Sequence, residues 1–220
     1  MIWETATNND GRCGDGLFMT PSRDGQTKLL ERAYRGREPL RRGVDYVEAH
    51  GTGTPAGDPV EIAALSEVLT EGVDREEPLW VGSVKSNIGH TEGAAGLAGL
   101  IRAVLVLEHG LVPRTLHFEE PNPDIPWEEI DVRVPADKRE LSRDRPRVAA
   151  VNSFGITGTN AHVVLEQWRE HRDPIGRRSS RSPEVLPVSG HTPGALDEYA
   201  DQYAAFLRDD GSPGRVSDVE

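Results

Sequence analysis

Residues 44–69 read VDYVEAHGTGTPAGDPVEIAALSEVL, and this stretch contains the pattern that decides the fold class. Apolar side chains alternate along residues 44–49, which predicts a short β-strand. A glycine-rich loop follows at 50–57, and apolar residues then recur at helical spacing through 58–69. A strand, a loop and a helix in direct succession are typical of an α/β layered fold.

The helix predicted at 58–69 begins with residues that favour a helix N-terminus. Asp58 suits the N-cap and Pro59 suits the first helical position. Glu61 stands third, which resembles a capping box. We therefore expect the helix to begin at Asp58, with its side chain as the cap.

The chain then repeats this order of elements. Residues 79–84 predict a second strand, and a polar loop follows from Lys85 to His90. Thr91 opens a second helix, which is apolar nearly all round and has Gly and Ala as the small residues of its first half. Such a helix is expected to be buried and closely approached by the rest of the fold.

Two further strands are predicted at 147–153 and 161–167, joined by the glycine-rich connector FGITGTN. Three polar, glycine-rich loops thus follow predicted strands. Functional groups of α/β folds gather in loops at strand ends, so we expect the functional site where these loops meet. The remaining predictions are a loop with a short opening strand at 1–27, a helix at 27–34 and loop-rich chain at 111–146.

The composition limits the partners and the compartment. The 220 residues are 36% apolar and 28% charged, as in a soluble globular protein, and their net charge of −12 argues against a nucleic-acid partner. We find no signal segment, and the most apolar stretch, 93–107, is too short to span a membrane. The single cysteine, Cys13, excludes an internal disulfide and predicts a reducing, cytoplasmic location.

His50 is the first candidate functional residue, because it stands at the end of a predicted strand. Gly51 and Gly53 allow a ligand to approach the backbone, and Thr52 and Thr54 supply hydroxyls. The loop has neither the Gly-Lys-Ser/Thr of a phosphate-binding P-loop nor the spacing of a dinucleotide fingerprint. The alternative is a purely structural histidine.

Lys85 and His90 form the second candidate group. Lys85 could fix a negative partner such as Glu61, and it would disfavour a positive charge on a nearby histidine. A neutral imidazole can donate a hydrogen bond from Nε2–H to a developing oxyanion. The alternative is a surface lysine beside a helix-capping histidine.

Neither a metal site nor a cysteine nucleophile is predicted from the residues. His50 and His90 lack a nearby ligand pair such as HxxxH or CxxC. Cys13 lies in a Gly/Asp-rich turn with Arg12 as its basic neighbour, which is typical of an unreactive thiol.

Three long motifs stand in the order found in one enzyme family: VEAHGTGTPAGDPVEIAAL, VGSVKSNIGHTEGAAGLAGLIRAVL and VNSFGITGTNAHVVLEQ. With NNDGR and TLHFEEPNPDIPW they cover residues 3–168. On these motifs the chain resembles the C-terminal half of the β-ketoacyl synthases of modular polyketide synthases, members of the thiolase-like superfamily. The resemblance implies half of a thiolase-like αβαβα layered fold at 1–168 and a polar linker at 169–184. The tail at 185–220 resembles the opening strand (VLPVSG) and helix (193–207) of a ketosynthase–acyltransferase linker region.

The resemblance also implies roles for individual residues. His50 and His90 would polarise the malonyl thioester carbonyl and stabilise the enolate formed on decarboxylation. Lys85 and Glu61 would form an ion pair that supports the second histidine. The residues implied in substrate binding are Thr52, Thr54, Phe154, Gly155, Ile156 and Asn160.

Substrate would arrive on the phosphopantetheine arm of an acyl carrier protein, and no cofactor would be bound directly. Thr52 and Thr54 would hydrogen-bond this arm. Phe154, Gly155 and Ile156 would form a gating loop with a backbone N–H in the oxyanion hole. Ile156 stands where some relatives have a second phenylalanine.

The family's nucleophilic cysteine, in a DTACSS-like motif, is absent from the sequence, and Cys13 does not match it. We therefore expect a separate N-terminal half to supply the cysteine for decarboxylative Claisen condensation, with a dimer as the assembly. The chain alone would be inactive and would expose apolar faces that the other half covers. The alternatives are a non-catalytic carrier-protein docking or scaffolding module, and a truncated remnant.

Overall fold

A computed structural model of the chain describes residues 1–11, 20–168 and 188–209. The chain divides into two compact units, Met1–Glu170 and His171–Glu220. The described elements of the first unit are β1 (Ile2–Asn9), α1 (Arg23–Tyr34), α2 (Glu38–Gly43), β2 (Val44–Glu48), α3 (Gly57–Leu69), β3 (Leu79–Gly82), α4 (Lys85–Ile88), α5 (Ala95–His109), β4 (Leu111–Val112), β5 (Val132–Arg133), β6 (Arg139–Glu140), β7 (Val148–Phe154) and β8 (Thr159–Glu166). The second unit contributes α6 (Pro193–Asp209).

Six strands of the first unit form one sheet in the order β1–β8–β7–β2–β3–β5. β7, β2, β3 and β5 run parallel, whereas β8 and β1 are antiparallel to their neighbours. The carboxyl ends of β2, β3 and β7 therefore share one edge with the start of β8 and the end of β1. This edge receives the loops that the sequence predicts to be functional. β4 and β6 form a separate pair.

Helices cover both faces of the sheet. α1 and α3 pack on one face, where Leu29 and Leu65 are fully buried. α5 packs on the other face, where Ala103 and Val106 belong to a second apolar cluster. β7 shows the consequence in its sequence: Val148, Ala149, Ala150 and Val151 are all buried, because alternate residues face the two apolar layers.

The mixed α/β fold class is confirmed, and so are the strands and helices predicted from residue 44 onward in the first unit. The opening segment is more regular than predicted. β1 is an eight-residue strand, because its backbone completes the sheet beside β8. The helix predicted at 27–34 begins earlier, at Arg23, where the Ser22 hydroxyl accepts the N–H of Gly25.

The prediction that Asp58 caps α3 is wrong. The helix begins at Gly57, and its N-cap, Ala56, makes no side-chain hydrogen bond. The Asp58 carboxylate instead accepts the backbone N–H of Gly53 at 3.1 Å. The tight glycine loop before the helix turns that donor toward the carboxylate, so Asp58 braces the loop rather than the helix.

The prediction that the second helix is buried is only half right for α5. Its inner side is closely packed, since a Cβ on Gly99 would lie 3.0 Å from a side-chain carbon of β2. Its outer side exposes Leu97 and Ile101, at 65% and 62%, together with Val104 and Leu105. The helix is apolar on two sides, although only one side packs against the sheet of this chain.

The second unit is described through α6, which confirms the helix predicted at 193–207. Thr192 begins it as an N-cap, because its hydroxyl accepts a backbone N–H of the first turn at 3.2 Å. Residues 188–190 are not a strand. The rest of the predicted strand, 185–187, and the linker at 169–184 lie outside the described residues. No helix in the described ranges is long and apolar enough to cross a membrane.

The end of α5 gives a test of the packing. Gly110 has φ +66°, and a Cβ there would overlap the Arg147 guanidinium group, which donates to the carbonyls of Leu107 and Ser142. We expect Gly110→Ala to lower the free energy of unfolding by about 2–4 kcal/mol, from left-handed strain plus the displaced arginine. The matched control is Gly36→Ala, with φ +70° and open space around the added Cβ, which should lose about 1–2 kcal/mol.

Urea denaturation of the full chain measures both variants. Equal losses in the two variants would contradict a contribution from Arg147.

Candidate active site

The three segments predicted as loops meet at the edge where β2, β3 and β7 end, around a cleft of about 470 Å³. The loop prediction from Lys85 to His90 is wrong in part, because Lys85–Ile88 form the short helix α4. The parallel order of these strands brings the loops together, because the carboxyl ends of neighbouring parallel strands share an edge. The predicted site residues that line the cleft are His50, Thr52, Thr54, Glu61, His90, Phe154, Gly155, Ile156 and Asn160.

His50 and His90 lie side by side in this cleft. Their ring centroids are 5.4 Å apart and their planes are nearly perpendicular, at 80°. The backbone N–H of Phe154 donates to Nδ1 of His50 at 3.3 Å, and that of Glu92 donates to Nδ1 of His90 at 2.9 Å. Because Nδ1 of each ring accepts, each neutral ring carries its proton on Nε2. Both histidines can therefore act as Nε2–H donors.

The surroundings of His50 keep its ring neutral. Burial, the positive charge of Lys85 and the neighbouring His90 together lower the pKa of His50 to about 4. At pH 7 the ring is an uncharged hydrogen-bond donor, the form that can stabilise an oxyanion. The phenyl ring of Phe154 tilts against it, with 5.6 Å between the centroids.

The Glu61 carboxylate lies beneath the His50 loop. It accepts the backbone N–H of His50 at 2.8 Å, the backbone N–H of Gly51 at 2.9 Å and the side-chain amide of Asn152 at 2.8 Å. These three donors oppose the effect of burial, which raises the pKa of Glu61. Among the ion pairs of the described residues, none joins Glu61 to Lys85. The direct ion pair implied by the resemblance is therefore not found among the described residues, and the carboxylate is held by N–H donors instead.

Lys85 lies behind the loop, in the wall of a second cleft of about 390 Å³. Burial lowers the pKa of its ammonium group, and the negative charges of Glu61, Glu48 and Asp58 oppose this shift. Lys85 therefore acts on His50 at longer range, through the charge that helps to lower the pKa of the imidazole.

Residue 51 must be glycine for the loop to turn as it does. Its φ is +43°, and a Cβ there would lie 2.9 Å from the Cβ of Ser83 at the end of β3. The chain then presents the hydroxyls of Thr52 and Thr54, 3.2 Å apart, on the cleft wall. The Thr54 hydroxyl also accepts the N–H of Gly57 at 3.1 Å, which holds the threonine pair at the start of α3.

The connection from β7 to β8 forms the rim of the cleft. The N–H of Phe154 is used by His50, and the N–H of Gly155 donates to the Thr159 carbonyl at 2.7 Å. Within the described ranges, no protein acceptor is paired with the N–H of Ile156. The Ile156 side chain is 68% exposed at the rim.

Asn160 contacts the cleft but is tied into the fold. Its amide donates to Oδ1 of Asn8 at 3.1 Å and to Oδ1 of Asp10 at 2.6 Å, and the residue is buried. These bonds join the start of β8 to the end of β1 across the site edge. Its predicted contact with substrate stays a prediction, while its structural contacts are plain.

Three buried polar residues were not found from the sequence: Asn152, His162 and Tyr34. Asn152 on β7 links Glu61 to His162 on β8, and His162 meets the hydroxyl of Tyr34 on α1. The sequence does carry a signal for His162, because this residue alternates along β8 onto the same inward-facing side as the buried Val164. A polar side chain at such a position requires a buried partner.

The described residues contain no group of three or more His, Cys, Asp and Glu side chains that could hold a metal ion. Cys13 lies outside the described residues.

Comparisons with known proteins give one consistent family. A family model described as beta-ketoacyl synthase, C-terminal domain, matches residues 1–119, and one described as ketoacyl-synthetase C-terminal extension matches residues 121–219. Erythronolide synthase EryA3 of Saccharopolyspora erythraea is 46% identical, over 92% of this chain and 6% of that protein. Spectinabilin polyketide synthase system protein NorB of Streptomyces orinoci is also 46% identical, over 94% of this chain and 10% of that protein.

Solved ketosynthases have the same fold over the matched region. The ketosynthase from module 6 of the bacillaene synthase of Bacillus subtilis is 34% identical, with a TM-score of 0.71 over 96% of this chain and 36% of that chain. Ketosynthase twelve from the bacillaene synthase of Bacillus amyloliquefaciens is 35% identical, with a TM-score of 0.71 over 97% of this chain and 36% of that chain. The chain therefore spans a small part of the curated relatives and about a third of the solved ketosynthases.

The effect of the Lys85 charge on the pKa of His50 can be measured directly. Lys85→Met removes a positive charge that disfavours the imidazolium ion, so we expect the pKa of His50 to rise from about 4 while staying below 6.5, because burial remains. Titration of the His50 ring by NMR gives this pKa. Lys28→Met, which removes an exposed lysine on α1, is the matched control and should leave the His50 titration unchanged. An unshifted His50 in Lys85→Met would contradict the coupling.

Proposed function

Since the chain belongs to the β-ketoacyl synthase family and is a ketosynthase C-terminal domain of the polyketide synthase type, we propose that it supplies the decarboxylation site of the condensing reaction. The observation that carries the proposal is the pair His50 and His90, whose Nδ1 atoms both accept backbone N–H groups in one cleft. The substrate would be a malonyl-type thioester on an acyl carrier protein.

The chemistry assigned to the two histidines is charge stabilisation without proton transfer. When the C–CO2 bond of the malonyl group breaks, CO2 leaves and the electron pair moves onto the thioester oxygen as an enolate. The Nε2–H groups of His50 and His90 can both donate to that oxygen, and such bonds would strengthen if the N-terminal half excludes water from the cleft, where His50 is half-buried and His90 is exposed in this chain. A cationic His50 would instead favour the ground-state carboxylate, so the pKa near 4 suits the enolate role.

The second half of the reaction requires a cysteine that we assign to the N-terminal half of the ketosynthase. The enolate carbon attacks the acyl thioester carbonyl on that cysteine, a C–C bond forms, and the cysteine thiolate leaves. The tetrahedral oxyanion formed on the way needs N–H donors. We assign one of them to Ile156, because the N–H groups of Phe154 and Gly155 already have acceptors within the protein.

The carrier-protein arm has suitable groups on the cleft wall. The hydroxyls of Thr52 and Thr54 are adjacent and can hydrogen-bond the amides of a phosphopantetheine chain. Ile156 at the rim would narrow the entry around the arm. No resident cofactor is assigned, and the proposed compartment is the cytoplasm, where acyl carrier proteins would be available.

The outer face of α5, formed by Leu97, Ile101, Val104 and Leu105, is the surface that we assign to the N-terminal half. Two observations support this choice. The chain spans about a third of the solved ketosynthases, and α5 is apolar on the side that faces away from its own sheet. An exposed apolar helix face of this kind favours a protein partner, and the whole assembly would be a dimer.

Loss of one histidine tests the decarboxylation role. The assay combines the full chain with an N-terminal ketosynthase half and measures CO2 release and condensed product from malonyl-carrier protein. We expect His90→Ala to lower the rate by about 100- to 1,000-fold, as removal of one oxyanion donor does. His191→Ala, an exposed histidine of the second unit, is the control and should keep full activity.

Unchanged activity in His90→Ala would contradict the proposed role of His90 in decarboxylation. A stable complex that binds carrier protein but releases no CO2 would favour the alternative, a non-catalytic docking module.

The apolar face of α5 yields a separate prediction. Ile101→Asp places a charge where the N-terminal half should pack, so we expect its affinity for that half to fall by about 100-fold. Isothermal titration calorimetry measures the affinity, and the thermal unfolding midpoint should not change because the side chain is exposed. The control is Ile2→Asp on β1, where the side chain is 59% exposed. Equal affinity of Ile101→Asp and the unmodified chain would exclude this face.

A further inference from the structure

A continuous row of buried polar groups runs from α1 to the His50 loop, behind the cleft. The Tyr34 hydroxyl lies 3.0 Å from Nε2 of His162. Nδ1 of His162 lies 2.6 Å from Oδ1 of Asn152, and Nδ2 of Asn152 donates to Oε1 of Glu61 at 2.8 Å. Glu61 in turn accepts the first two backbone N–H groups of the loop, those of His50 and the residue after it. The row therefore connects a helix on the sheet's face with the site edge.

The Glu61 carboxylate sets the direction of every hydrogen bond in the row. An ionised carboxylate only accepts, so Asn152 turns its NH2 group toward Glu61 and its Oδ1 toward His162. That oxygen requires a donor, which places the proton of a neutral His162 on Nδ1. Nε2 is then an acceptor for the hydroxyl of Tyr34. Tyr34, His162 and Asn152 each donate one hydrogen bond toward the His50 loop, and Glu61 accepts at the end of the row.

The row is unusual for its place in the fold. Tyr34, Asn152, His162 and Glu61 expose 3% of their surface or less. His162 shares its face of β8 with Val164, which belongs to an apolar cluster. An aliphatic residue in the place of His162 would pack there without needing a hydrogen-bond partner. A fully satisfied polar row restricts the side chains to one arrangement, because each group has one suitable partner.

β7 holds His50 in two ways. Asn152 acts on the backbone of His50 through Glu61, and Phe154, two residues further along the same strand, donates its N–H to the ring at Nδ1. The position of the backbone and the orientation of the ring are thus set by one strand. A shift of Glu61 would move the backbone of His50 relative to the donor on its ring.

We propose that His162, Asn152 and Tyr34 are positioning residues for His50, and that they act through the Glu61 carboxylate. They hold this carboxylate in the orientation that binds both N–H groups of the loop, which fixes the place of the His50 ring in the cleft. The proposal rests on the proposed function only for the task of His50. The row and its directions can be tested without any enzymatic assay.

The protonation of His162 is the first test. Burial lowers the pKa of His162 to about 3, so the ring is neutral at pH 7 and exists as one tautomer or the other. In the full chain labelled with 15N-histidine, we expect NMR to show the proton of His162 on Nδ1 and a bare Nε2. A proton on Nε2 would reverse the row and overturn the proposal.

Amide hydrogen exchange is the second test. In His162→Leu, Asn152 loses the donor that orients it, so we expect the amides of His50 and Gly51 to exchange about 10-fold faster. His162→Asn should restore slow exchange, because its side-chain amide can donate from the place of Nδ1. Val164→Ala truncates a buried neighbour on the same face of β8 and should leave the exchange of these two amides unchanged.

The pattern among the variants separates positioning from packing. If the amides of His50 and Gly51 exchanged at the same rate in His162→Leu and His162→Asn, or as fast in Val164→Ala as in His162→Leu, packing alone would account for the effect. Tyr34→Phe covers the case in which His162→Leu does not fold. It removes the hydroxyl that donates to Nε2 of His162, while Oδ1 of Asn152 still requires the Nδ1–H, so we expect the tautomer to persist and the 15N chemical shift of Nε2 to change; an unchanged Nε2 shift would remove Tyr34 from the row. None of these readouts requires condensing activity, so they fail or succeed independently of the proposed function.

Discussion

A carboxylate buried away from water must find hydrogen-bond donors nearby, and the Glu61 carboxylate finds two of them on the loop that carries His50. α3 supplies the carboxylate, the end of β2 leads into the loop, and β7 supplies the third donor, Asn152. One side chain thus joins three elements that come together only in the completed fold. Without it, two backbone N–H groups and an amide would lose their acceptor, and unsatisfied buried donors are among the larger penalties in a protein interior.

The sheet decides which residues can be neighbours at this point. His50 and His90 are separated in sequence by α3, β3 and α4, yet β2 and β3 are adjacent and parallel, so the segments after them meet. β7 lies on the other side of β2 and brings Phe154 to the same edge. The antiparallel strands β8 and β1 return to it as well, which is how Asn160 and Asp10 come to bond across the cleft wall. The chemistry of the site is therefore a consequence of strand order.

Sequence patterns predicted the longer strands and helices well because each is specified locally, whereas the short helices α2 and α4 were not predicted. The alternation before His50 and the helical spacing after it need no knowledge of the rest of the chain. The contacts of charged side chains could not be predicted in this way. Asp58 and Glu61 have good helix-start positions, but both carboxylates turn to backbone N–H groups of the preceding loop. Such donors appear only when the loop has folded. The alternation of β8 is enough to indicate that the His162 side chain faces inward, but it does not identify the hydrogen-bond partners of His162 on β7 and α1.

The two histidine loops have separate anchors of the same chemical kind. Glu48, buried at the end of β2, accepts the N–H of Val84 at 2.6 Å and thereby holds the segment that leads to His90. Burial raises the pKa of Glu48 to about 7, against the opposing effect of Arg102, whose Nε lies 3.5 Å from the carboxylate. Arg102 also donates to the Asn87 side chain in α4 at 3.3 Å. Since each carboxylate is fixed by its own donors, the backbone of each histidine loop is set independently. The two supports bring the loops together so that the rings meet edge to face, with 5.4 Å between their centroids.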